Sequence, residues 1–193
     1  MSKLYDDALV EKLKYWTADA QIEVYGPNET TRLFEVMADK NDDKPIELPI
    51  LCLSRDRGFT INETTKRPLT YDGKTIEADY ETSLMLNAIP ITLSYQLDIY
   101  TRYAEQMDIL LNNLVFNLIN YPSFTITIPN TDKEHTANLI IDGVVEDNSN
   151  IPERFIVGNF IRTTIRFVVK DAYLWNAQER HNVTIDLRID DSI

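Results

Sequence analysis

Between Pro90 and Tyr100 apolar and polar residues alternate without a break, with Ile91, Leu93, Tyr95, Leu97 and Ile99 on one side and Thr92, Ser94, Gln96 and Asp98 on the other. A side-chain period of two belongs to a strand with one buried face. The period then turns helical from Thr101 to Asn120, where Met107, Leu110, Leu111, Leu114, Val115, Leu118 and Ile119 form a broad apolar stripe. Glu105, Asp108, Asn112, Asn113 and Asn117 fall elsewhere around that helix. Thr101 is expected to cap its start and Pro122, which has no backbone N–H, to enforce its stop. Phe124, Ile126 and Ile128 then alternate with Thr125 and Thr127. The turn that opens the helix, Thr101-Arg102-Tyr103-Ala104, has no glycine. This strand–helix–strand unit therefore has no phosphate-cradling loop.

On either side the chain reads as short elements in succession. Ser2 to Trp16 places Leu4, Ala8, Val10, Leu13 and Trp16 with helical spacing, with Ser2 as the expected N-cap. Gln21 to Tyr25 and Arg32 to Met37 read as two strands joined through the Gly26-Pro27-Asn28 turn. Glu47 to Leu53 is a third apolar run, in which Pro49 predicts an edge strand or an irregular start. Further strands are expected at Ala137 to Val145, interrupted by Gly143, at Gly158 to Lys170, and at Val183 to Ile189. Strands in succession, without strict βαβ alternation, predict an α+β class: a mainly antiparallel β-sheet with two helices packed on one face. The polar stretch from Arg55 to about residue 88 stands apart. Its centre, Leu69 to Ile76, contains Asp72-Gly73, which supplies the positive φ angles of a tight hairpin turn. It reads as a protruding β-hairpin arm inserted in a single domain spanning residues 1–193.

The chemistry available to this chain is narrow. Lys and Arg number 19 against 31 Asp and Glu, a formal charge of −12. That balance argues against nucleic acid as a partner, because phosphate neutralisation by basic side chains supplies most of such affinity. The one cysteine, Cys52, allows no internal disulfide, and the opening residues lack an apolar signal core. With no apolar run of about 20 residues either, no membrane partner is expected, and the reading is of a soluble protein made inside the cell. The two histidines, His135 and His181, have no second His or Cys at ligand spacing, so no metal is expected. Cys52 lies inside the apolar run Ile50 to Leu53 and reads as an inert buried thiol. No nucleophile elbow, Walker loop or dinucleotide fingerprint occurs, so no catalytic residue and no cofactor are assigned. The acidic groups Asp39, Asp42 and Asp43 lack the glycine of a calcium loop and read as solvated turn charges.

Charge is informative in two places. Arg162, Thr164, Arg166 and Lys170 share the strand face opposite Ile161, Ile165 and Phe167. In so acidic a chain this row calls for carboxylates, either across the sheet, for instance Asp186, or on another subunit. Arg55 and Arg57 at the base of the arm, with Tyr71 and Asp72 at its expected tip, are candidates for partner contact because loops carry binding residues.

Three stretches together carry a family resemblance: Ile89-Pro90-Ile91-Thr92-Leu93-Ser94-Tyr95-Gln96-Leu97-Asp98-Ile99-Tyr100 running into Arg102, then Asn117-Leu118-Ile119-Asn120-Tyr121-Pro122, and then Ile151-Pro152-Glu153-Arg154-Phe155 with Asp171-Ala172-Tyr173-Leu174-Trp175. In order and spacing they resemble the tail terminator or tail completion proteins of contractile-tailed bacteriophages, including the sheath-stabilising type. Arg57-Gly58 after an apolar strand fits the same group. The resemblance implies a structural virion protein that assembles as a hexameric ring, caps the tail tube and sheath, and joins the tail to neck and connector proteins. It implies a place in the virion tail or neck region, assembly in the host cytoplasm and no enzymatic activity. A head–tail connector one ring higher is the alternative. A more distant alternative is a carboxylate-dependent glycosidase built on Asp72, Asp79 and Glu81 with Tyr71 and Tyr80 as sugar platforms.

Overall fold

The computed structural model describes residues 2–17, 22–30, 48–62, 69–77, 80–128, 134–149 and 160–181; of 69–77, 80–88 and 175–181 only the backbone is described. Its elements run in the order α1 (Ser2–Trp16), β1 (Glu23–Tyr25), a single helical turn α2 (27–30), β2 (Ile50–Arg55), β3 (Thr60–Ile61), β4 (Leu69–Glu77), β5 (Tyr80–Thr101), α3 (Ala104–Asn120), β6 (Ser123–Thr127), β7 (Glu134–Asp147) and β8 (Ile161–His181). The strands form one sheet in the order β1-β2-β5-β8-β7-β6, with β3 and β4 also pairing to β5. Every pairing is antiparallel except β1 with β2. The fold is thus the expected α+β sheet carrying helices.

Strand β5 is the spine. It is 22 residues long, which at about 3.3 Å per residue makes it some ~70 Å end to end. Along one edge it pairs in turn with β4, β3 and β2; along the other it pairs with β8 from Thr82↔His181 to Thr101↔Ile161. A β-bulge lies where Ile91↔Ala172 gives way to Leu93↔Val169, so that Lys170 and Asp171 oppose Thr92 alone. In β7, Ile141↔Phe167 gives way to Val145↔Ile165, and Gly143 takes the positive φ of 78° inside that larger bulge.

The core lies between one sheet face and the two long helices. From α1 it takes Tyr5, Leu9 and Leu13, one turn apart, and from α3 Met107, Leu110, Leu114 and Leu118. The strands contribute Leu51 and Leu53, the odd-numbered residues Ile91 to Ile99, and Ile165, Phe167 and Val169. Tyr95 stacks on Phe167 with ring centres 5.6 Å apart. A smaller apolar cluster on the opposite face groups Ile50, Cys52, Tyr100 and Phe160.

Several expectations need correction. The strand at Tyr25 enters the helical turn α2 and pairs in parallel with β2, so it is not the first half of a hairpin; the expected strand Arg32 to Met37 lies outside the described residues. Of the two alternatives for Pro49 the edge does not hold, because β2 has β1 on one side and β5 on the other; the strand starts only after Pro49, at Ile50. Asp72-Gly73 is not the hairpin turn. Both sit inside β4, opposite Met85 and Leu84, and the chain reverses between Glu77 and Tyr80. The expected hairpin arm is three-stranded along 82–88, because the far end of β8 pairs there with β5. Thr101 is the last residue of β5 and its hydroxyl donates to the Tyr103 carbonyl; Tyr103 is the N-cap of α3 and gives no side-chain cap. Ser2 is already within α1. The expected strand Val183 to Ile189 lies outside the described residues.

Candidate assembly surfaces

Alternation along β8 sends Arg162, Thr164 and Arg166 to the sheet face away from the helices. In register with Thr164 stands Asp98 of β5, buried like Thr164 itself. Arg162 reaches along this face and grips Asp98 with two N–H groups, Nε to Oδ1 at 3.2 Å and Nη2 to Oδ2 at 3.1 Å. The Thr164 hydroxyl donates to the same carboxylate at 2.6 Å, and the Gln96 amide donates to both of its oxygens. Arg162 also lies over the Tyr100 ring, 5.5 Å from its centre. Four donors satisfy the buried carboxylate, which is the condition for a charge to sit inside a protein. Cys52, opposite Asp98 on β2, is wholly buried; burial, reinforced by the Asp98 charge, pushes its thiol up to about 12. A thiol so disposed stays protonated and inert.

Arg166 pairs with Glu146 of β7 at 3.0 Å, and half of its side chain stays exposed. Of the row of positive charge on β8, Arg162 and Arg166 therefore meet acids within this chain, on β5 and β7. The partner suggested by the sequence, Asp186, lies outside the described residues. Lys170 is exposed in the bulge.

Arg55 belongs to the other face. At the end of β2, opposite Tyr95, its Nε donates to Oδ1 of Asp6 on α1 at 3.0 Å, and the Tyr95 hydroxyl donates to the same oxygen at 2.8 Å. Desolvation of Asp6 outweighs these two partners and raises its carboxyl above the ordinary range. The triad ties α1 to the sheet, together with the Tyr5 hydroxyl, which accepts the Tyr173 N–H at 2.8 Å, and Lys12, whose ammonium donates to the Ser123 carbonyl. Arg57, two residues on, is exposed. Tyr71 and Asp72 lie in β4, opposite Leu86 and Met85. The seven candidates thus do not form one site: they divide between the two faces of the sheet, its bulge and its arm.

A surface that sequence reasoning missed lies on α3. Ile119 belongs not to the core stripe but, with Ile109 and Phe116, to an outer row: each is about 60% exposed. Positions 109, 116 and 119 are spaced seven and three residues apart, so they share one side of the helix, about a third of a turn or more from the buried side. Val115, Leu118, Ile119 and Pro122 continue this row into an apolar groove closed by Leu139 to Ile141 and Val145 of β7. The signal was present in the sequence: α3 carries more apolar residues than one buried face can hold.

Among the described residues no group of three His, Cys, Asp or Glu could hold a metal ion. No helix among them is long and apolar enough to cross a membrane. Comparison with curated proteins gives no match. The family model for the T4-like virus Myoviridae tail sheath stabiliser matches residues 18–191, a span that takes in the whole sheet and α3 and leaves α1 outside. This chain belongs to the T4-like Myoviridae tail sheath stabiliser family, structural proteins of the phage tail that associate with other tail proteins.

Proposed function

We propose that this protein is a ring subunit, six copies to the ring, that caps the tail tube and the last sheath ring and joins the tail to the neck. The family match over residues 18–191 carries the reading. The fold supports it. A ring requires two different, complementary surfaces on each copy. Here the described surface carries exposed apolar residues on two sides of the molecule, on α3 and at Phe59 and Ile61 beside β5. In this reading the protein turns over no substrate, takes no cofactor and acts through contact alone. Tyr71, Asp72 and Lys170 are the candidates for contact with tube, sheath or neck, Arg57 for contact with the next copy, and Arg162 and Arg55 act as internal braces. The same surfaces would serve a connector one ring higher, and the binding partner separates the two. Purified protein, weighed by sedimentation alone and after mixing with tail tubes carrying sheath, is expected as a six-copy particle bound at tube ends. A particle that binds only the portal side of the head would move it to the connector, and a subunit that stays single and ignores tails would overturn the reading.

A further inference from the structure

The outer row of α3 has the composition of a contact surface. Ile109, Phe116 and Ile119 stand exposed along one side of the helix, and Ile119 shares the groove with the exposed Val145 of the β7 bulge. Three large apolar side chains exposed along one helix side mark a contact surface more often than a bare one. Its rim is acidic. Helix α3 contains Glu105 and Asp108 but no Lys or Arg, and Asp142 is exposed in β7 between Ile141 and Gly143 of the groove wall. The matching occupant is therefore apolar and basic.

This chain displays such a segment at the base of its arm. Arg57, Phe59 and Ile61 occupy alternate positions and all three are exposed, Phe59 by 48% and Ile61 by 56%. Between the Asp56 N–H, which donates to the Ser94 carbonyl, and Thr60, opposite Thr92, residues 57–59 loop out from the sheet, which leaves Arg57 and Phe59 standing out beside Ile61. Strand β3 lies along the β5 edge shared with β2 and β4, whereas β7 lies beyond β8, on the other side of the spine. One copy thus carries an exposed segment with Arg57, Phe59 and Ile61 on one side of the spine and an acidic, apolar helix row on the other.

We infer that the segment Arg57–Ile61 of one copy seats against α3 and β7 of the next, with Phe59 and Ile61 on the row Ile109, Phe116 and Ile119, and Arg57 facing Asp108. The inference rests on the ring reading above and names its subunit contact. Self-pairing of α3 fits less well. An antiparallel α3 pair would bring Glu105 and Asp108 of each copy to the negative C-terminal end of the other. A twofold contact of that kind would also close on itself and build no ring.

Two single variants, Phe116→Glu and Ile61→Glu, test the two sides, and Arg57→Glu and Asp108→Arg, made singly and together, test the charge match. All four residues are solvent-exposed, so the fold should survive; far-ultraviolet circular dichroism and a melt of each variant check this. Sedimentation at fixed concentration is expected to show Phe116→Glu and Ile61→Glu each lowering the assembly constant by about tenfold or more. The Arg57→Glu/Asp108→Arg double variant is expected to assemble better than either single one. If the wild type forms rings and either Phe116→Glu or Ile61→Glu forms them equally well, this contact is wrong while the ring reading stands. The same holds if the charge-swapped pair shows no recovery. A wild type that remains a single subunit, alone and with tails, overturns the ring reading and this contact with it.

Discussion

Asp98 is a carboxylate placed where a strand would ordinarily put a valine. It is 3% exposed, and the pattern that makes β5 legible as a strand also puts Asp98 on the face away from the helices. Alternation by itself assigns such a face to solvent. It is covered instead, by Arg162, Gln96, Thr164 and the small cluster around Tyr100 and Phe160. Nothing in local spacing distinguishes a strand face bathed in water from one covered by residues sixty positions away, so the partner of Arg162 was out of reach of the sequence even though the need for one was evident. The energetics follow from burial: a buried pair contributes little net stability compared with an apolar replacement, but breaking it strands a charge. Arg162→Met is expected to destabilise the folded chain by about 3 kcal/mol in urea denaturation, since Thr164 and Gln96 alone would face an uncompensated carboxylate. Arg166→Met, which removes a half-exposed pair with Glu146, should cost less than about 1 kcal/mol. Equal losses at the two positions would mean that the Asp98 site is not held as described.

At the scale of elements, legibility tracks how local the cause is. Strand β6, the second half of β5 and helix α3 each announce themselves through unbroken periodicity, because one face of each meets the same core. The first half of β5 does not, since residues 80–89 are held in a ribbon between β4 and the end of β8. There the pairing is supplied from a strand some ninety positions away, which local spacing does not reveal. The Asp72-Gly73 turn gives way for a related reason: local turn propensity is weak against the nine-pair β4–β5 ladder that runs through both residues to Glu77↔Tyr80. The parallel partnership of β1 with β2 was hidden because α2 and the following segment separate them in sequence. Helix α3 tests the division into two sides directly. Leu114 is fully buried against the sheet and Phe116 is 60% exposed, two positions on. Leu114→Ala should cost about 2–5 kcal/mol of stability in the unassembled subunit, through lost burial and a cavity. Phe116→Ala should stay within about 0.5 kcal/mol of wild type. A large loss at Phe116 in the single subunit would show that its ring is core material, and the outer row would no longer be a surface awaiting a partner.

For the whole molecule, charge and contact pull in opposite directions. Each copy bears a formal charge of −12, and copies brought side by side repel over distances comparable with the Debye length, about 10 Å at 0.1 M salt. The inferred contact is mainly apolar, and burial of apolar surface is not weakened by simple salts. Its single ionic element, Arg57 with Asp108, is exposed in the free subunit and worth at most about 1 kcal/mol. The repulsion is summed over a whole surface, whereas the attraction lost to screening is one pair. Assembly should therefore strengthen as sodium chloride rises from about 10 mM to about 150 mM, where the Debye length shortens from about 30 Å to about 8 Å. Sedimentation equilibrium across that series measures it. If rings instead dissociated as salt increased, specific ion pairs would be carrying the contact, and the basic face around Arg166 and Lys170 would replace the apolar row of α3 as the seam between copies.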